Sequence, residues 1–166
     1  MSLAGLLTDF TALFPVASFG RLVWGLASAV VLGISVHKAC GWLETKSNAF
    51  GDLSRQLSEI LGPLSRRETF ALAALSGIGE ELLFRGLALQ HIGLVASTLL
   101  FAVIHCYPPN RSMLLMISFA GAMGALLGGL ALASQSIIPA ILLHFLVNYL
   151  NLNRLCGPGE DKQHIK

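Results

Sequence analysis

Long apolar runs separated by short polar segments dominate the pattern of this chain. An α-helix needs about 20 mainly apolar residues to cross the hydrocarbon core of a bilayer. Residues 112–153 contain no Asp, Glu, Lys or Arg and are too long for a single crossing. The other apolar runs are shorter, and flanking Arg and Lys side chains can reach the membrane surface from them. The pattern therefore predicts five membrane-spanning helices, at residues 22–37 (extended at both ends to 20–43), 69–92, 93–105, 113–133 and 137–152.

Turn-forming and polar residues define the breaks between these spans. Ser134-Gln135-Ser136, with Pro139 just inside the next helix, divides the longest run. Pro108 and Pro109 end the third span, because proline lacks the amide proton that a helix interior requires. Residues 44–68 are the only long polar stretch. They predict a loop, with an amphipathic helix at the membrane interface around residues 53–61.

Residues 1–19 are apolar but are interrupted by Asp9 and Pro15, and they lack the basic start of a secretory signal. They predict an interfacial or re-entrant helix, with a sixth span as the alternative. The predicted fold is thus an all-α bundle of transmembrane helices forming a single membrane domain over residues 1–166. Its parts are N-terminal helices (1–43), a polar cytoplasmic loop (44–68), a helical core (69–153) and a cytoplasmic tail (154–166).

Composition narrows the class of protein. Hydrophobic residues make up 54% and charged residues 12% of the 166 residues, whereas a soluble domain carries about 25% charged residues. A soluble globular or disordered chain is therefore excluded. The net charge of +2 comes from scattered basic residues, so no nucleic-acid partner is expected. The bilayer is the expected partner, and the oligomeric state stays open.

Positive charge predicts the orientation in the membrane. Five spans place the polar loop, residues 107–111 and the C-terminal tail on one side, where most of the basic residues lie, whereas the other side has only Arg21. The positive-inside rule then puts the N-terminus outside and the C-terminus in the cytoplasm. The basic residues of the cytoplasmic side are Lys38, Lys46, Arg55, Arg66, Arg67, Arg111, Arg154, Lys162 and Lys166.

Three ionisable residues fall within the second predicted span: Glu80, Glu81 and Arg85. Ionisable residues are costly in hydrocarbon and usually functional there. The i,i+4 spacing puts Glu81 and Arg85 on one helical face, where they can pair. Glu80 lies about 100° around the helix, without a local partner. It is therefore a candidate general base that takes a proton from water.

Two further spans carry His105, His144 and Asn148. His105 ends the third span and could share a water molecule with Glu80. His144 and Asn148 have i,i+4 spacing, and two donors on one face could stabilise the oxyanion formed when a carbonyl is attacked. Structural roles are the alternatives: an ion pair or an asparagine can join helices, and a histidine can be a hydrogen-bonded core residue.

The ordered motifs EExxxR, FxxxH and HxxxN on successive hydrophobic spans resemble those of the CPBP family of intramembrane endopeptidases. This family includes the CAAX prenyl proteases and bacterial relatives, and the resemblance covers about residues 68–151. It implies an endopeptidase of a prokaryotic inner or plasma membrane that acts on a membrane-associated peptide or protein. The implied roles are a water held by Glu80 and His105, an oxyanion hole of His144 and Asn148, and support from Glu81 and Arg85.

Other functions stay open. A zinc protease would use Glu80, His105 and His144 as ligands, but HExxH is absent and neither histidine has an evident acidic partner. A metal-free mechanism without a cofactor is therefore the leading hypothesis. A proton-coupled transporter could use the same groups as a relay, although no inverted repeat is visible. A non-catalytic immunity or scaffold protein is the remaining alternative. The substrate could be a prenylated tail, a bacteriocin leader, a regulatory membrane peptide or a sorting signal.

Overall fold

The computed structural model describes residues 17–106 and 112–157, and these residues form helices without any strand. The predicted all-α class is confirmed for them. Most of the N-terminal segment 1–19, the loop 107–111 and most of the tail lie outside the described residues. The helices are α1 (Phe19–Lys46), α2 (Asn48–Leu61), α3 (Arg66–Glu81), a π-helix (Leu82–Ala88), α4 (Leu89–Ile104), α5 (Met113–Ser134) and α6 (Ile138–Cys156).

Several helix ends follow directly from local sequence. Helix α3 begins with a capping box, in which the Ser65 hydroxyl accepts the Glu68 N–H and the Glu68 carboxylate accepts the Ser65 N–H. Helix α5 ends at Ser134 and is followed by Gln135, whose φ of 53° lies in the left-handed region. Pro139 lies in the first turn of α6, as the sequence predicts. The predicted break between the last two spans is therefore confirmed.

The chain reverses direction at Gly93, where φ is 75° and ψ is 174°. This backbone conformation suits glycine, which has no Cβ. The rings of Phe84 and Phe101 lie 5.0 Å apart between centroids, whereas a continuous helix would separate these residues by about 25 Å. Residues before and after Gly93 therefore pack as a helical hairpin, in agreement with the predicted boundary between the second and third spans.

Helix α6 packs against both α1 and α3 in the centre of the bundle. Gly77 permits the close approach of α3, because a Cβ at this position would lie 3.2 Å from the Phe145 backbone nitrogen. Ala29, Leu127 and Leu143 are fully buried in the main hydrophobic core between α1, α5 and α6. The helix that carries His144 and Asn148 therefore has neighbouring helices on more than one side.

One group of polar contacts lies at one end of the bundle, which we call the polar end. Arg154 of α6 pairs with Glu44 of α1, and the Ser54 hydroxyl of α2 also donates to Glu44. The Leu64 N–H donates to the Cys156 carbonyl over 2.8 Å. The segment between α1 and α3 therefore lies at the same end as the end of α6, as the predicted arrangement of spans requires.

Three segments are long and apolar enough to span a membrane: Phe19–Lys46, Arg66–Ile104 and Met113–Ser134. The chain is therefore an integral membrane protein with a helical bundle. The prediction of five spans is confirmed only in part. Helix α6 is less apolar than these three segments, because it contains His144 and three asparagines. The segment Arg66–Ile104 is divided by Gly93 and therefore includes both the second and the third predicted span.

The predicted polar segment at residues 44–68 contains more helix than expected. Helix α1 continues to Lys46, and α2 then occupies Asn48–Leu61. The interfacial amphipathic helix predicted at 53–61 is thus present but begins five residues earlier. Its polar face carries the exposed ion pair of Arg55 with Asp52, and Leu53 is buried against the bundle. Polar composition marks the membrane boundary, but it does not prevent a helix from forming.

Candidate active site

The two glutamates are the last two residues of α3, and Glu81 is fully buried whereas Glu80 is partly exposed. Glu80 is 14 residues after Arg66, the first residue of α3, which corresponds to about 21 Å along the helix axis. The π-helix Leu82–Ala88 follows directly and contains Arg85. π-Helical turns are rare and frequently occur at functional sites. Here the π-helix begins immediately after the pair of carboxylates.

Glu81 is fully buried and accepts two hydrogen bonds at the same oxygen. Arg85 Nη1 donates to Glu81 Oε1 over 2.8 Å, which is the pairing that the sequence predicts. His144 Nδ1 lies 2.8 Å from the same Oε1. Arg85 also donates to the Gly124 carbonyl over 2.9 Å, and its guanidinium carbon lies 4.7 Å from the centre of the Phe101 ring. Glu81 and Arg85 thus connect α3, α5 and α6.

The contact between Glu81 and His144 corrects the expectation that neither histidine has an acidic partner. These residues are 63 positions apart, and only the packing of α3 against α6 brings them together. A carboxylate can only accept a hydrogen bond, so the proton of a neutral His144 is on Nδ1. Its Nε2 then carries a lone pair. Glu81 therefore sets the tautomer and orientation of His144 in addition to pairing with Arg85.

His105 is held in the same manner. Its Nδ1 lies 2.7 Å from the backbone carbonyl oxygen of Phe101, one helical turn earlier. A carbonyl only accepts, so this contact places the proton on Nδ1 and leaves Nε2 of the neutral ring with a lone pair. The rings of Phe101 and His105 also contact each other, with centroids 4.5 Å apart. The Phe101 ring and carbonyl oxygen thus both contact His105.

Both Nε2 atoms face Glu80. Glu80 Oε2 lies 3.6 Å from His105 Nε2 and 3.9 Å from His144 Nε2. These separations are too long for direct hydrogen bonds. Glu80 Oε2 is buried and has no hydrogen-bond partner among the described residues. Glu80 Oε2 therefore lies within 4 Å of both Nε2 atoms but is hydrogen-bonded to neither of them.

Beside these atoms lies a cavity of about 100 Å³, against about 30 Å³ for one molecule of liquid water. Glu80, His105, His144 and Asn148 all line it, and apolar side chains such as Met123 form the rest of the wall. The Glu80 and His105 side chains are 28% and 25% exposed, so the cavity is accessible from outside. The structure therefore brings the four predicted site residues from three helices to one cavity.

Asn148 has a partner that the sequence did not reveal. Its Nδ2 donates to the Ser76 hydroxyl oxygen over 2.8 Å. Ser76 lies four residues before Glu80 in α3, and therefore on the same side of the helix. That i,i+4 spacing to Glu80 is the signal that could have identified it.

The fold and this site define a helical membrane protein with a carboxylate and two imidazoles at an interior cavity. Residues 66–150 match the family model described as Type II CAAX prenyl endopeptidase Rce1-like, which is just over half of the chain. The chain belongs to this family, as its motifs predict, and is thereby a CAAX-type membrane peptidase. No curated protein and no solved structure matches the chain.

Proposed function

We propose that the chain is an intramembrane endopeptidase in which Glu80 and His105 activate a water molecule for attack on a peptide carbonyl. One observation supports this proposal: Glu80 Oε2, which has no hydrogen-bond partner among the described residues, lies 3.6 Å from His105 Nε2 and 3.9 Å from His144 Nε2. An unpartnered polar atom in the interior of a protein is costly unless a bound molecule satisfies it.

One water molecule can satisfy both acceptors. Its oxygen can lie about 2.8 Å from both Glu80 Oε2 and His105 Nε2, donating one proton to each. Glu80 then takes a proton as the water oxygen forms a bond to the scissile carbonyl carbon. When the C–N bond breaks, the protonated Glu80 gives that proton to the leaving amine. The carboxylate is thereby restored without a covalent enzyme intermediate.

His144 and Asn148 stabilise the negative charge that develops on the carbonyl oxygen by donating hydrogen bonds to it. Since Nδ1–H of His144 donates to Glu81, the ring can offer an Nε2–H to the oxyanion only as an imidazolium. The fully buried Glu81 carboxylate stabilises this cation at 2.8 Å. Asn148 supplies a neutral N–H donor from the next turn of α6. The support role of Glu81 therefore includes orienting the His144 ring toward the carbonyl oxygen, and Arg85 fixes the position of Glu81.

The substrate class follows from the position of the site. A peptide bond must reach a cavity at the level of the bundle interior, so the substrate is a peptide or protein that associates with the membrane. On the positive-inside rule the polar end, with Arg55 and Arg154, faces the cytoplasm. A cytoplasmic peptide tail delivered to the membrane surface, as on a lipidated protein, suits this arrangement. A prokaryotic plasma membrane is the proposed location.

Cleavage in isotopically labelled water tests whether the protein is a peptidase. The purified full chain in phospholipid vesicles receives a farnesylated peptide ending in a CAAX sequence, and separately a set of peptides from membrane proteins, in H₂¹⁸O. We expect a product with one ¹⁸O in its new terminal carboxylate, detected by mass spectrometry. A non-catalytic scaffold or a proton transporter would yield no cleaved product from any peptide, and that result would contradict the proposal.

Zinc hydrolysis is the second candidate, and one observation favours it. Both Nε2 lone pairs face Glu80, and Glu81 supports His144 as carboxylates support zinc-bound histidines. Against it, no three His, Cys, Asp or Glu side chains within 17–106 and 112–157 form a cluster suited to a metal ion. Elemental analysis of the active protein before and after chelation separates the two mechanisms, because zinc and activity would disappear together and return with added Zn²⁺.

A further inference from the structure

We propose that Ser76 is a positioning residue that fixes the orientation of the Asn148 carboxamide in the oxyanion hole. This inference rests on the proposed function. Asn148 lines the cavity, and its Nδ2 donates to Ser76 Oγ over 2.8 Å. No other side chain within 17–106 and 112–157 bonds to the Asn148 carboxamide. Its orientation therefore depends on Ser76.

The Ser76 hydroxyl has a second neighbour in the backbone, because its Oγ lies 3.3 Å from the Ala73 carbonyl oxygen. When the hydroxyl proton points to this carbonyl, the hydroxyl oxygen can only accept, and Asn148 then presents Nδ2 to it and not Oδ1. A carboxamide turned by 180° would place two acceptors against each other. Ser76 thus selects one of the two amide orientations and leaves the second Nδ2 proton free for a substrate carbonyl oxygen.

Close helix packing makes the contact possible. Gly77, the next residue in α3, lies against the backbone of Phe145, where an added Cβ would be 3.2 Å from the nitrogen. The two helices are therefore in near contact at the level of Ser76 and Asn148. Because Glu80 follows Ser76 by one turn, the same face of α3 carries both the proposed base and the residue that orients the proposed oxyanion donor.

The test compares kcat and KM for cleavage of the same peptide by Ser76→Ala, Ser76→Thr and the wild-type chain. Loss of one positioning hydrogen bond corresponds to a decrease of roughly three- to tenfold. We expect this decrease in kcat for Ser76→Ala with little change in KM, because the oxyanion forms only in the transition state. Ser76→Thr keeps the hydroxyl and should restore kcat.

The matched control is Ser97→Ala in α4. Ser97 Oγ donates to the carbonyl three residues earlier, as Ser76 does, but Ser97 does not line the cavity. It should keep the wild-type kcat. Thermal unfolding of each variant checks that the fold is retained. If Ser76→Ala does not insert, Ser76→Cys fills the same space with a weaker acceptor and should show an intermediate kcat.

A double-mutant cycle separates positioning from a structural role. In an Asn148→Ala background, Ser76→Ala should cause no further decrease in kcat. If Ser76→Ala lowers kcat by the same factor in the wild-type and Asn148→Ala backgrounds, the inference is overturned. A wild-type kcat in Ser76→Ala would also overturn it. If Asn148→Ala itself retains the wild-type kcat, the oxyanion role of Asn148 under the proposed function fails, independently of any result for Ser76.

Discussion

Replacing Glu81 by glutamine tests whether the buried contacts of this carboxylate support both the fold and the site. Glu81 is fully buried and Arg85 is 3% exposed. In Glu81→Gln, the Arg85 guanidinium loses its carboxylate partner, and its hydrogen bond to the Gly124 carbonyl remains. Breaking a buried ion pair by removal of one partner costs about 3–5 kcal/mol. This change corresponds to a decrease of roughly 6–20 °C in the midpoint of thermal unfolding.

The same substitution should lower activity through His144. Glutamine can still accept one hydrogen bond, but it lacks the negative charge that stabilises the imidazolium of His144. We therefore expect kcat to decrease even at temperatures where the variant is fully folded. Thermal unfolding in detergent and cleavage in vesicles measure the two effects separately.

Adding a substitution at Arg85 to Glu81→Gln distinguishes the effect on stability from the effect on activity. Glu81→Gln combined with Arg85→Met removes both charges, and a neutral buried pair is commonly as stable as the ion pair it replaces. The double variant should therefore recover much of the thermal stability but not the activity, since His144 still lacks its carboxylate. Full stability of Glu81→Gln alone would show that the pair is hydrated, and recovery of activity in the double variant would refute the role of Glu81 at His144.

Three further predictions concern the oxyanion hole, the metal and the orientation. Asn148→Ala should lower kcat by about 10²–10³ with little change in KM, as loss of one oxyanion donor does; an unchanged kcat would exclude this donor. Activity should survive prolonged dialysis against a strong chelator, and a loss that only Zn²⁺ reverses would establish the zinc mechanism. In a background without the three native cysteines, Arg55→Cys should react with a membrane-impermeant thiol reagent only after cell lysis, whereas Ser18→Cys at the opposite end should react in intact cells. Labelling in the reverse order would invert the proposed topology.

Local spacing was sufficient to predict the features that depend on one helix. Glu81 and Arg85 pair because residues four apart share a helical face, and they still do so although a π-helix begins between them. The break before Pro139 follows from the restricted backbone of proline, and the break at Gly93 follows from the positive φ that glycine permits. These predictions needed no knowledge of how the helices pack.

Features that depend on packing between helices were not predictable from spacing. The contacts of Glu81 with His144 and of Ser76 with Asn148 join residues 63 and 72 positions apart. Both require the close approach of α3 and α6, which no periodicity in either helix specifies. The helical state of residues 48–61 was only partly predicted, because hydropathy distinguishes membrane from water and does not locate the end of a helix.

The turnover of Glu80→Gln tests the central claim most directly. Glutamine keeps the size of the side chain but cannot take a proton from water, so kcat should fall to background while insertion and thermal stability stay unchanged. The matched control is Glu59→Gln on the exposed face of α2, which should retain the wild-type kcat. Wild-type turnover by a correctly inserted Glu80→Gln protein would contradict the proposal that Glu80 activates the attacking water.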